Sequence, residues 1–275
     1  MLRLFKSTFI VYFVLASAGI IGIVFLNPLV VMEKEIFTLI VNLCLSIPLA
    51  LIWIFIVTFI FELVAAKKVN KIALIMSEEC RVKDFIICYT DLLRKSSVKT
   101  TQAVLLLSLS SGYLNFGDSC SAKKVLDTII DFPDSCIGAL HKVIYYNNLI
   151  IYDIQINDLE NATQHIENFR IALDNPKLNK KHRESCYRFY NDNKFLLNIE
   201  KGIYDGAEDV FKLAFEREKQ KLGKVFSKYT LGRIYLHYND FEKATESFEF
   251  VKNNGGDSHF VAEANDYLNN INQTK

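Results

Sequence analysis

The chain has 275 residues, 51% of them hydrophobic, and its 32 Lys and Arg balance 31 Asp and Glu to leave a formal net charge of +1. That balance gives no electrostatic footprint for nucleic acid, which requires a strong basic excess. Four prolines and eleven glycines favour helices, and six cysteines with no Cys-x-x-Cys pair read as free thiols, not as a metal site.

Charge is unevenly spread. The first 62 positions hold only six charged residues, Arg3, Lys6, Glu33, Lys34, Glu35 and Glu62. Residues 7–32 and 36–61 are each free of charge over 26 positions. About 20 apolar residues suffice to cross the hydrocarbon core of a bilayer, so both stretches predict transmembrane helices within an anchor over residues 1–66. Ala16-Ser17-Ala18 resembles a signal-peptide cleavage site, but the apolar run continues to Leu26, which favours an uncleaved anchor. Arg3 and Lys6 on one flank and Lys67, Lys68 and Lys71 on the other predict that both ends face the cytoplasm. The expectation is a multi-pass protein of the cell membrane with its N-terminus and C-terminal domain in the cytoplasm, in contact with lipid through the two spans.

Residues 67–100 read as a helical linker. Val82, Phe85, Ile86, Tyr89, Leu92 and Leu93 recur at three and four, the period of an amphipathic helix. Residues 101–275 then show a pattern that repeats. Around Ala122, Leu106, Leu109, Ser110 and Tyr113 precede a turn at Gly117-Asp118, and Leu126 and Ile129 follow. Around Ala162, Tyr146 and Leu149 precede a turn at Asn157-Asp158, and Ile166 and Phe169 follow, with Ile150 at the small-residue position and Asp153 at the aromatic one. Around Ala207, Gly202 and Tyr204 mark the turn, and Phe211 and Ala214 follow. The clearest copy is Lys228 to Val251: Leu231, Gly232 and Tyr235, then Asp240-Phe241 at the turn, then Ala244, Phe248 and Val251. Gly232 and Ala244 are small, which allows two helices to approach, and Tyr235 and Phe248 fill the layer between them. The anchors Ala122, Ala162, Ala207 and Ala244 lie 40, 45 and 37 residues apart. Phe260, Val261, Ala264, Leu268 and Ile271 predict a terminal capping helix.

Leu-Gly, Tyr three after the Gly, Ala nine later and an aromatic four after that resemble the tetratricopeptide repeat (TPR) family. The fold expected is therefore all-α: two N-terminal transmembrane helices followed by a TPR-like α-solenoid of about four helical hairpins. The resemblance implies a concave groove lined by the first helix of each hairpin. Carried onto this chain, its positions are Phe226, Tyr229, Arg233, Leu236 and His237 on the last hairpin, with Asn147 and Gln155 on the Ala162 hairpin and Asp192 and Glu200 on the Ala207 hairpin. Such a groove suits an extended peptide or a partner helix, and Arg233 beside Tyr229 can hold a carboxylate. No Gly-rich phosphate loop, no Gly-x-Ser-x-Gly and no His-Glu-x-x-His occurs, so no cofactor, metal or enzyme activity is expected. The function expected is a membrane-tethered adaptor or scaffold that binds a partner protein. The alternative is a subunit of a larger membrane complex whose main contacts are made by the spans, through small residues such as Gly19 and Gly22.

Overall fold

The computed structural model describes residues 52, 53, 55–57, 59, 60, 67–96 and 99–274. Every regular element among them is helical: residues 52, 53, 55–57, 59 and 60 are helical, and there follow α1 (67–77), α2 (Val82–Lys95), α3 (Lys99–Phe116), α4 (Ser119–Asp127), α5 (Cys136–Gln155), α6 (Leu159–Leu173), α7 (Lys180–Glu200), α8 (Ala207–Arg217), α9 (Lys221–His237), α10 (Phe241–Asn254) and α11 (His259–Thr274). The chain divides into two compact units. One comprises residues 1–71 with 94–101, the other residues 72–93 with 102–275.

The all-α part of the expectation holds, and the membrane part is corrected. Among the described residues no helix is long and apolar enough to cross a membrane. The expected span 7–32 and much of 36–61 lie outside the described residues. This finding overturns the reading of a multi-pass membrane protein with two spans and a cytoplasmic domain. The described helices are amphipathic or too short. In α2, for instance, Val82, Phe85, Tyr89 and Leu92 are buried while Lys83, Ile87 and Thr90 face solvent.

In the second unit, three of the turns between helices are built alike. Gly117, Asn157 and Asn239 adopt left-handed backbone at φ 87, 58 and 57. The next residue, Asp118, Asp158 or Asp240, donates its backbone N–H to the carbonyl of Tyr113, Asp153 or Tyr235, at 2.9, 2.8 and 2.9 Å. This closes the preceding helix as a Schellman turn. Each Asp side chain then accepts from the N–H three residues on, of Ser121, Asn161 and Lys243, and so caps the next helix. One residue thus ends one helix and starts another. The Asp carbonyl also accepts from Ala122, Ala162 or Ala244, each 3.0 Å away. Those three alanines are fully buried, which places the smallest side chain where the two helices meet.

The turn before α8 differs. Gly202 is left-handed and Ile203 donates to Asn198, but three further residues, Tyr204 to Gly206, intervene before the helix starts. Ala207 is buried, yet it is the first residue of α8 and donates to Tyr204 at 3.0 Å. At the far end Glu218 is extended, and its side chain accepts from the N–H of Lys219 and of Gln220. α8 therefore has 11 residues against 21 in α7.

α5 packs on α6, α9 on α8 and α10, and α10 on α11. The close approach of α9 to α10 is made at Gly232, where a Cβ would meet ring carbons of Phe248 at 2.7 to 3.0 Å. The main core gathers Leu196 and Ile199 of α7, Phe211 of α8, Val225, Tyr229 and Ile234 of α9, Phe248 of α10 and Phe260 and Leu268 of α11. Burying side chains of this size stabilises by about 1.5–3 kcal/mol each. Cys80 belongs to the same core, and Met76, Ile151 and Ile154 pack against it.

Candidate functional site

The expected groove positions fall on α5, α7 and α9; Tyr229, Arg233 and Glu200 are brought together, while Asn147, Gln155, Asp192 and His237 contact other residues of the chain. Tyr229 is 6% exposed. Its hydroxyl donates to the Glu263 carboxylate of α11. Burial pushes the Tyr229 phenol up, and Glu263 adds to the effect, so the hydroxyl stays protonated and donates. Its ring lies 5.1 Å from Phe260 and carries the Arg233 guanidinium 5.8 Å from its centroid.

Arg233 meets both oxygens of Glu200, at 2.6 and 2.9 Å. Burial alone would lower the guanidinium, but the hydrogen bonds and charge of Glu200 outweigh it and the pKa rises. The fork geometry is the one by which arginine recognises a carboxylate, and here the carboxylate belongs to the same chain, one hairpin back. Phe226 lies edge-on to Phe211 at 6.1 Å and tilted against Phe260 at 5.7 Å. Leu236 packs against the main core. His237 stacks flat on Tyr204 at 3.7 Å and 8°.

On α5, Asn147 accepts from the Asn193 amide at 2.9 Å, and Gln155 donates to the Leu114 carbonyl at 2.9 Å while accepting from Ser119. The remaining groove position, Asp192, pairs with Arg217 at the end of α8. Burial raises the Asp192 carboxyl, against the lowering by Arg217 and Arg188, and its Oδ1 is buried without a hydrogen-bond partner.

The contacts of Asn148 and Asp257 were not singled out from the sequence, and Asp153 was noted there only as a departure from the repeat pattern. Asn148, 2% exposed, donates to the Leu107 carbonyl at 3.0 Å and to Ser110 Oγ at 2.9 Å, and so ties α5 to α3. Asp153, 3% exposed, faces His165 Nδ1 at 2.5 Å. This explains why an acid stands where the repeat pattern has an aromatic. Asp257 accepts from the N–H of Val82 and of Lys83 (3.1 Å), and its own N–H donates to the Cys80 carbonyl at 3.1 Å. An acid lying 175 positions from the helix it caps has no local sequence signature.

A cleft of about 220 Å³ opens between α8 and α10, lined by Lys212, Phe215, Lys228, Tyr235, Lys243 and Glu246 among others. Its ammonium groups are matched by acids: Lys212 with Glu208, Lys228 with Glu246, Lys243 with Asp240. Among the described residues no group of three or more His, Cys, Asp or Glu is placed to hold a metal ion. The five described cysteines are free, and burial pushes the thiols of Cys80 and Cys186 up, which suppresses the thiolate. Comparison of the chain with family models, with curated proteins and with solved structures found no match.

Proposed function

We propose that this chain is a non-catalytic protein-interaction scaffold, a TPR-like stack of helical hairpins that holds a peptide or a helix of a partner protein. The observation that carries this reading is the turn built three times, a left-handed residue, a bifunctional Asp and a buried Ala four positions on. A hairpin made that way buries its apolar face only against a neighbour, and stacking such units produces extended surfaces suited to binding. The polar groups at the expected groove positions support a binding role over a catalytic one. They are spent on each other, as in Arg233 with Glu200 and Asn147 with Asn193, and a partner entering there has to exchange for these internal bonds.

The test is site-specific photocrosslinking with the full-length chain, a photoreactive residue standing in turn at His237, at Tyr238 and, as a control on another face, at Lys252. One defined protein captured from His237 or Tyr238 but not from Lys252, with the crosslink mapped to a single segment, is the expected result. Equal labelling from all three positions, or none, overturns the reading.

A further inference from the structure

An exposed stripe of α7 lies next to the place where α8 stops. At 1.5 Å per residue α7 is ~31 Å long and α8 ~16 Å, so α8 covers only the C-terminal half of its partner. The end of α8 is marked by the ion pair between Arg217 and Asp192. Lys181, Arg188 and Phe189 lie on the same face of α7 as Asp192, eleven, four and three residues before it. Beyond Arg217 no residue of α8 remains to meet them. Phe189 is 52% exposed. Lys181 and Arg188 are exposed, and Arg188 also acts on the carboxylate of Asp192 one turn on.

We propose that this uncovered stripe of α7 docks an acidic amphipathic helix of a partner protein, which continues the line that α8 begins. The charge is complementary: two cations seven residues apart run along the stripe with an aromatic next to the second, and the exposed surface around them is itself basic, through Lys180 and Arg183, with Glu184 the one acid between Lys180 and Asn191. A helix bearing a carboxylate about every seven residues would meet Lys181 and Arg188, with an apolar residue next to the second carboxylate on Phe189. The far side of α7 is already occupied, since Tyr190 stacks on Phe169 of α6 at 5.8 Å and Asn193 bonds to Asn147 of α5. This inference rests on the scaffold reading and names the partner's chemistry.

The test uses the full-length chain and a fluorescent helix-forming peptide of 14 residues, with Glu and Leu on one face and Ala elsewhere, read by anisotropy. Lys181→Glu with Arg188→Glu weakens binding by roughly tenfold or more, since charge complementarity turns to repulsion. Phe189→Ser weakens it several-fold. Lys252→Glu, on an exposed site elsewhere, leaves it unchanged. A peptide that binds the charge-reversed chain as well as the parent overturns the proposal. So does a poly-dT oligonucleotide that binds more tightly than the peptide and is lost in the same variants, because the surface is then one for nucleic acid. A partner still crosslinked at His237 while the peptide ignores every substitution overturns this surface and leaves the scaffold reading standing. Absence of both crosslink and peptide binding overturns the two together.

Discussion

Arg233 of α9 holds Glu200 of α7 through both carboxylate oxygens, at 2.6 and 2.9 Å, with the two side chains only 18% and 20% exposed. Each is the other's main compensation for leaving water. Replacing Arg233 by Ala strands a half-buried carboxylate, and removing one member of such a pair costs on the order of 3–5 kcal/mol. Replacing both, Arg233→Met with Glu200→Leu, keeps volume without charge and is expected to cost far less than the sum of the single changes. Urea unfolding of the two single variants and the double variant measures the difference, and strict additivity would show that the pair is not coupled.

Gly232 presents the opposite case, a position where adding an atom does harm. In an ordinary helix Gly→Ala gains up to about 1 kcal/mol. Here the new methyl meets Phe248 at 2.7 Å, and that ring is fully buried and stacked on Tyr267 at 4.8 Å and 14°. Overpacking of this kind costs roughly 1–3 kcal/mol, so Gly232→Ala is expected to lower the melting temperature. A rise would mean that α9 and α10 can move apart without loss.

The capping aspartates make stability depend on pH. Hydrogen bonds from Ser121, Asn161 and Lys243 hold the carboxyls of Asp118, Asp158 and Asp240 below their ordinary value of 3.8. A carboxyl depressed in the folded state contributes stability that is full above its unfolded pKa and is lost as pH falls through the folded one. The urea midpoint is therefore expected to fall as the solution is taken from pH 5.5 to below 3.8. A triple Asp→Asn variant keeps neutral caps and should lose less over the same interval. An identical loss would assign the acid sensitivity to other groups.

Asp257 and Gly256 join the ends of the second unit. Gly256 has φ 59, and a Cβ there would stand 2.2 Å from the Cys80 carbonyl oxygen. Gly256→Ala is expected to push the 255–258 loop away from α2 and to release the cap that Asp257 places on Val82 and Lys83. Hydrogen exchange at those two amides reads this directly. Exchange should quicken there in Gly256→Ala and in Asp257→Ala, while amides in the middle of α5 stay protected. Unchanged exchange at Val82 would show that the cap is dispensable.

Much of the helical order was legible in the chain, for a local reason. Each turn combines a residue that tolerates left-handed backbone, an Asp and an Ala within six positions, so Gly117-Asp118 and Asn157-Asp158 are visible without any tertiary information, whereas the last turn, read at Asp240-Phe241, lies one residue earlier, with Asn239 left-handed and the helix starting at Phe241. Gly232 was read as a point of close approach together with Ala244; the structure sets the ring of Phe248 against it. The Ala207 turn was read less well, because its three extra residues shift the start of α8 without altering the composition. Length and absence of charge were read as two spans, 7–32 and 36–61; among the described residues no helix is long and apolar enough to cross a membrane, and the first span and much of the second lie outside them.

By itself the sequence determined most of the helices and the turns that set a buried Ala four positions after an Asp. These depend on neighbours within about five positions. Only the tertiary structure decided what the side chains of α5, α7 and α9 hold. Arg233 reaches Glu200 across 33 residues, Tyr229 reaches Glu263 across 34, and Asp257 caps a helix 175 residues away. Sequence spacing fixes the direction in which a side chain leaves its own helix. Which partner stands opposite is set by how the helices stack, and that depends on the summed packing of the whole core.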